Sequence, residues 1–248
     1  MPATVALVDG KLRVGLTGDE LERLGTSEQV AKVSLRDMGA VLASGGLGAT
    51  TVAATMFAAH LAGIRIFATG GIGGVHRGDG GDASADLTAL GRFPVAVVCA
   101  GAKAVLDLPR TLEALETLGV PVLGWLTGAF PEFWTQGSAL PVSARVDGAT
   151  HAAAVLDAHW SAGLSTGVVL GVPIPAGHEA DRAVIDAAIV RGLAAADAAG
   201  ITGSEATPFL LAHIAEATDG ASLDANVALV QENTRVATEV AVALAATR

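Results

Sequence analysis

The residue best suited to covalent chemistry in this sequence is a lysine just beyond an apolar run. Lys103 follows the strand-like stretch Val95-Ala-Val-Val-Cys-Ala100 and a glycine, in Cys99-Ala-Gly-Ala-Lys103-Ala-Val. Lysine is scarce: the chain holds 12 arginines and three lysines, Lys11, Lys32 and Lys103. Arginine stays charged, whereas a lysine enclosed in apolar surroundings gives up its proton and becomes a nucleophile for Schiff-base chemistry. The plainer alternative is a surface lysine reaching past the end of a sheet.

A second group is Thr69-Gly-Gly-Ile-Gly-Gly-Val-His-Arg-Gly78, with five glycines in ten residues. Such a loop permits close backbone approach and aims several N–H groups at one anion. Thr69, His76 and Arg77 add polar side chains that a bare turn does not need. The dinucleotide fingerprint fits poorly, because Gly71-Ile-Gly73 leaves His76 where the third glycine belongs. The loop runs on into Asp79, Asp82, Ser84 and Asp86. Three carboxylates and a hydroxyl suit a hard divalent cation such as Mg²⁺ or Mn²⁺. The same residues also suit a helix start, with Ser84 as N-cap and acidic groups in the first turn. Cys99, the only cysteine, has no evident base partner and reads as a small core residue. His60, His151, His159, His178 and His213 read as structural, and Trp125, Trp134 and Trp160 as packing. Asn226, one of two asparagines with Asn233, lies in a helical segment and carries an amide able to read a pyrimidine edge.

These groups need a scaffold, and 248 residues with 51% hydrophobic content are enough for one α/β domain over residues 1–248. Asp9-Gly10 between Thr4–Val8 and Leu12–Leu16 predicts a hairpin, and Thr17-Gly-Asp-Glu20 a helix with a capping box. Apolar strands at 64–68, 95–100, 120–125, 143–146 and 167–172 alternate with helices, and the region from Glu179 onward reads as helical. Unbroken apolar strands separated by helices predict a three-layer α/β/α fold with a central, largely parallel sheet. Ligands of such sheets sit beyond the carboxyl ends of the strands, which directs attention to the loops after Ala68 and Ala100. A net charge of −10 argues against a nucleic-acid surface but leaves room for one small anion. Mean hydropathy is high, at +0.53. The most apolar stretch, Val52 to Ala68, is nevertheless broken by His60 and Arg65, so no membrane span is expected. No export signal is evident, and the cytoplasm is the expected compartment.

Several segments, in order, resemble one family, the pseudouridine-5′-phosphate glycosidases, also described as indigoidine-synthase-A-like proteins. They are Lys32-Val-Ser34 with Arg36-Asp37, Gly48-Ala-Thr-Thr-Val-Ala53, Phe67 through Gly78, Ser84-Ala-Asp-Leu87, Ala96 through Lys103, Thr207-Pro-Phe-Leu-Leu211 and Asn226-Val-Ala-Leu229. The resemblance implies reversible cleavage of the carbon–carbon glycosidic bond of pseudouridine 5′-phosphate to uracil and ribose 5-phosphate. The sugar ring opens and lysine forms a Schiff base at C1′, whose iminium is the electron sink that lets the uracil carbon depart once protonated. On this resemblance Lys103 is the nucleophile and Asp86 serves proton transfer during ring opening. Lys32, Thr69 and Ser84 hold the phosphate. Thr51, Val52, His76, Ala85 and Asp86 contact substrate, and Asn226 faces uracil. Asp82 matches the position of a divalent metal, Mn²⁺ or another cation such as Mg²⁺. The resemblance further implies a homotrimer acting on a small molecule.

Family members ordinarily begin with a further segment bearing a Glu-Ser-Thr motif, whose Glu is the general acid toward the uracil carbon. Here no acidic residue precedes Asp9, which fits the hairpin turn, so that acid has no counterpart. General acid–base catalysis contributes about 10²–10⁴-fold, so Schiff-base formation is expected to survive better than turnover. Two other readings stay open: a C-glycosyl-forming enzyme that joins ribose 5-phosphate to another aromatic acceptor, and a non-catalytic sugar-phosphate-binding relative.

Overall fold

The structure is a computed structural model and describes residues 2–78, 81–201, 203 and 206–247. Asp9 and Gly10 both take positive φ, 50° and 73°, the geometry of a two-residue hairpin turn. They join β1 (Val5–Val8) to β2 (Lys11–Val14). Thr17 and Glu20 form the expected capping box of α1 (Gly18–Thr26). β3 (Val30–Val33) then leads through α2 (Met38–Ser44) to β4 (Leu47–Thr50). These strands make a four-stranded sheet of order β2-β1-β4-β3, antiparallel except for β3 with β4. One face buries Leu7 and Val33 against Met38 and Ala54, and the other buries Ala6, Val8 and Leu47 beside Leu16 and Leu24.

This sheet is more than the predicted hairpin. Thr50 ends β4 and Thr51 caps α3 (Val52–Leu61). Leu47-Gly-Ala-Thr has little local strand preference, and pairing on both sides sets its conformation. Gly48 is required there, because a Cβ would lie 2.5 Å from Val33 Cγ2.

The central sheet has five strands in the order β10 (Ala144–Val146), β9 (Val122–Trp125), β11 (Val168–Gly171), β7 (Ala96–Cys99) and β5 (Ile66–Ala68), and all neighbours are parallel. Successive residues face opposite layers. Ala96, Val98, Leu123 and Leu170 pack with α6 (Ala149–Ser161) and α9 (Ala221–Ala245). Val97, Cys99, Val122 and Val169 belong to the other core, with α3, α4 (Ala85–Leu90) and α5 (Leu108–Thr117). α7 (Arg182–Ala198) and α8 (Ala206–Ala217) complete that layer. The three-layer α/β/α architecture with a parallel central sheet is as the apolar runs predicted. A two-residue ribbon, β6 (Val75–His76) with β8 (Leu106–Asp107), ties the glycine-rich loop to the chain after Lys103. Pairings this short have no sequence period to reveal them. Among the described residues, no helix is long and apolar enough to cross a membrane.

Candidate active site

Lys103 and the glycine-rich loop share one backbone platform at the carboxyl ends of β5 and β7. The N–H of Ala100 donates to Gly70 O at 2.9 Å, that of Ile72 to Gly101 O at 3.1 Å, and that of Lys103 to Ile72 O at 3.1 Å. The Lys103 side chain is largely enclosed, and burial pushes its ammonium below the ordinary value. Asp86 acts in the opposite direction, and the positive charge of Lys32 on β3 lowers it further. Two lysines distant in sequence are thus brought within electrostatic reach of each other and of one carboxylate.

That carboxylate is built in. Asp86 is 4% exposed; its Oδ1 accepts from Ala53 N and its Oδ2 from Gly73 N, both at 2.8 Å. A negative charge therefore sits at the start of α3, where the helix dipole favours it. Ser84 caps α4 by accepting from Asp86 N at 3.2 Å, while its own N–H donates to Gly74 O at 2.9 Å. Gly73 leaves no room for a side chain: a Cβ would lie 2.2 Å from Ser84 Oγ and 2.8 Å from Asp86 Oδ2. Thr51 caps α3 through Ala54 N, Val52 is buried beside it, and Ala85 is exposed at the start of α4. Thr69 is half-buried, with its N–H on Val98 O.

At the rim, His76 Nδ1 lies 3.5 Å from Asp82 Oδ2, and the His76 N–H donates to Asp82 O. Asp79 falls outside the described residues. Among the described residues no group of three or more His, Cys, Asp or Glu side chains could hold a metal ion. Asp82 is half-exposed, which fits the mode of Mg²⁺-like cations that bind through one carboxylate, waters and a substrate phosphate. Arg77 is committed to the scaffold, donating to Leu106 O and Ala104 O at 3.1 and 2.9 Å.

Two features escaped sequence reasoning. The strap Pro131–Trp134 crosses the Lys103 loop: Phe133 N donates to Ala100 O, and a Cβ on Gly101 would meet Pro131 O at 2.1 Å. Phe133 takes φ of 64°, a costly left-handed conformation for a bulky residue, and its ring lies against Gly71. Trp134, read as packing, is buried but also donates from Nε1 to Asn226 Oδ1 at 2.9 Å. Asn233 is fully buried, and its Nδ2 donates to Thr69 O at 2.8 Å, fastening the glycine-rich loop to α9. The rarity of asparagine was a usable signal for Asn233; nothing in Pro131-Glu-Phe-Trp134 marked the strap.

The family described as indigoidine synthase A like protein matches residues 1–243. The chain is 52% identical to a pseudouridine-5′-phosphate glycosidase of Caldanaerobacter subterraneus over 98% of its own length and 80% of that protein's. It is equally identical, at 52%, to the glycosidase of the same name from Herpetosiphon aurantiacus, covering 98% of this chain and 81% of the relative. Among solved structures, a prealnumycin C-glycosynthase in complex with ribulose 5-phosphate superposes with a TM-score of 0.93 at 42% identity, over 100% of this chain and 82% of that one. An indigoidine synthase A-like protein of Thermotoga maritima superposes with a TM-score of 0.90 at 34% identity, over 98% and 80%.

Proposed function

The chain belongs to the indigoidine synthase A like family, and from that premise we propose that it is a pseudouridine-5′-phosphate glycosidase working through Lys103. The observation that carries the role of Lys103 is its enclosure beside Lys32, which favours the neutral, nucleophilic amine. In the synthetic direction, the Lys103 amine adds to the C1′ aldehyde of open-chain ribose 5-phosphate and water leaves, giving an iminium. Uracil C5 attacks C1′, the iminium electron pair moves to nitrogen, and the C5 proton passes to water. The sugar O4′ then closes on C1′, its proton passing by way of Asp86 to the Lys103 amine, which departs. Cleavage is the reverse of this sequence.

Asp86, fixed by two backbone N–H groups and acting electrostatically on Lys103, is proposed to move the proton at O4′. Lys32, Thr69 and Ser84, with the glycine-rich loop, are proposed to bind the phosphate. Thr51, Val52, His76 and Ala85 complete the sugar side, and Asn226 meets the base. Asp82 is proposed to hold a divalent cation, Mn²⁺ or Mg²⁺, which would offset phosphate charge when bound. One domain, a homotrimer and a cytoplasmic setting belong to the same proposal. The prealnumycin C-glycosynthase likeness favours, as a second reading, ribose 5-phosphate joined to a different aromatic acceptor on the same lysine. Uracil and ribose 5-phosphate, with a divalent cation, should yield pseudouridine 5′-phosphate with the parent chain. Lys103→Arg, which keeps the charge but not the nucleophile, should lose at least about 10³-fold in rate. An unchanged rate removes Lys103 from the mechanism, and product with another acceptor but not uracil favours the second reading.

A further inference from the structure

The hydrogen bond from Trp134 Nε1 to Asn226 Oδ1, 2.9 Å long, constrains more than the packing of an indole. An indole N–H only donates, so the amide must turn its oxygen toward Trp134 and its NH₂ group away. Asn226 is partly exposed, and among the described residues its Nδ2 has no hydrogen-bond partner. Trp134 cannot easily yield. It is 1% exposed, lies edge-on to Phe133 with ring centroids 4.9 Å apart, and its carbonyl accepts from Ala180 N at 3.1 Å. Phe133 is in turn bonded to Ala100 and packed on Gly71. The amide is therefore set, before any ligand arrives, by the strap that crosses the Lys103 loop.

We propose that Trp134 is a positioning residue that holds Asn226 as a hydrogen-bond donor, so that the site selects an aglycone with a carbonyl oxygen at the edge facing α9. This rests on the glycosidase reading and deepens it. A pyrimidinedione such as uracil offers carbonyl oxygens to that donor. A base with an amino group at the same edge sets donor against donor and leaves both unpaired.

The test is calorimetric titration of uracil into the chain saturated with ribitol 5-phosphate, which has no aldehyde and so cannot turn over, beside titration of ribose 5-phosphate alone. Trp134→Phe keeps the ring and removes the N–H, freeing the amide to turn. Uracil Kd should rise about tenfold, with the Kd for ribose 5-phosphate unchanged. Asn226→Asp still accepts from the indole but presents an acceptor to the base, so uracil should weaken by more than about tenfold while ribose 5-phosphate again holds. Uracil constants within twofold of the parent in both variants overturn the proposal, as does a parallel rise for both ligands. Should Trp134→Phe fail to fold, Asn226→Asp decides alone. A parent chain that binds ribose 5-phosphate but not uracil overturns the role of Asn226 and this proposal with it. A parent chain that binds neither overturns the glycosidase reading itself.

Discussion

Lys103 carries opposed demands on one nitrogen: enclosure at the end of β7 favours the neutral amine, and Asp86 favours the ammonium. Burial dominates and the folded-state value is lowered, so between it and the ordinary value of 10.5 the unfolded chain binds more protons than the folded one. Stability therefore rises with pH across that window, and below it the full cost of burying an ammonium is present. Lys103→Met should accordingly melt at a higher temperature than the parent at pH 7, with the difference shrinking as pH approaches 10.5. Paired thermal melts from pH 7 to 10.5 check this, and a variant less stable than its parent at pH 7 would show that Lys103 is held by a favourable ion pair instead. The sequence disclosed this lysine through scarcity and position. Its electrostatic setting was hidden, because Lys32 and Asp86 reach it from β3 and α4, elements that only the fold brings together.

At the scale of elements, the glycine-rich loop works because three neighbours close on it: α4 from the front, the Phe133 ring on Gly71, and Asn233 of α9 behind. Gly73 lies where Ser84 and Asp86 meet the loop, so Gly73→Ala should shift both and break the Gly73 N–H to Asp86 bond. Overpacking of this kind costs about 1–3 kcal/mol, readable as a lowered denaturant midpoint, and lysine adduct formation should be lost alongside. Wild-type adduct yield in a destabilised Gly73→Ala would detach the loop from the chemistry. The glycines, Ser84 and the capping residues were legible because each has a local conformational reason. The strap and the α9 contacts were not, because they join residues far apart in the chain (Phe133 with Ala100, Trp134 with Asn226, Asn233 with Thr69) without a local pattern.

Across the whole molecule, the apolar runs revealed five parallel strands and their two helical layers, since a strand buried on both faces must read as unbroken hydrophobicity. The N-terminal sheet was legible only in part, as its hairpin and as strand character at Ala31–Ser34; nothing in β3 and β4 shows that they pair with each other and with β1. The outcome for function is a chain of net charge −10 that nonetheless brings Lys32, on the N-terminal sheet, within electrostatic reach of Lys103, beyond the carboxyl end of β7 in the central sheet, and of the buried carboxylate of Asp86. Such a site suits a single anionic sugar rather than a polyanion. The most direct test of the central claim is reduction with borohydride in the presence of ribose 5-phosphate, followed by intact mass and peptide mapping. One reduced sugar-phosphate adduct per chain, located on Lys103 and absent from Lys103→Arg, is the predicted result. A folded chain that gains no adduct, or gains it on Lys32 or Lys11 instead, would contradict the account.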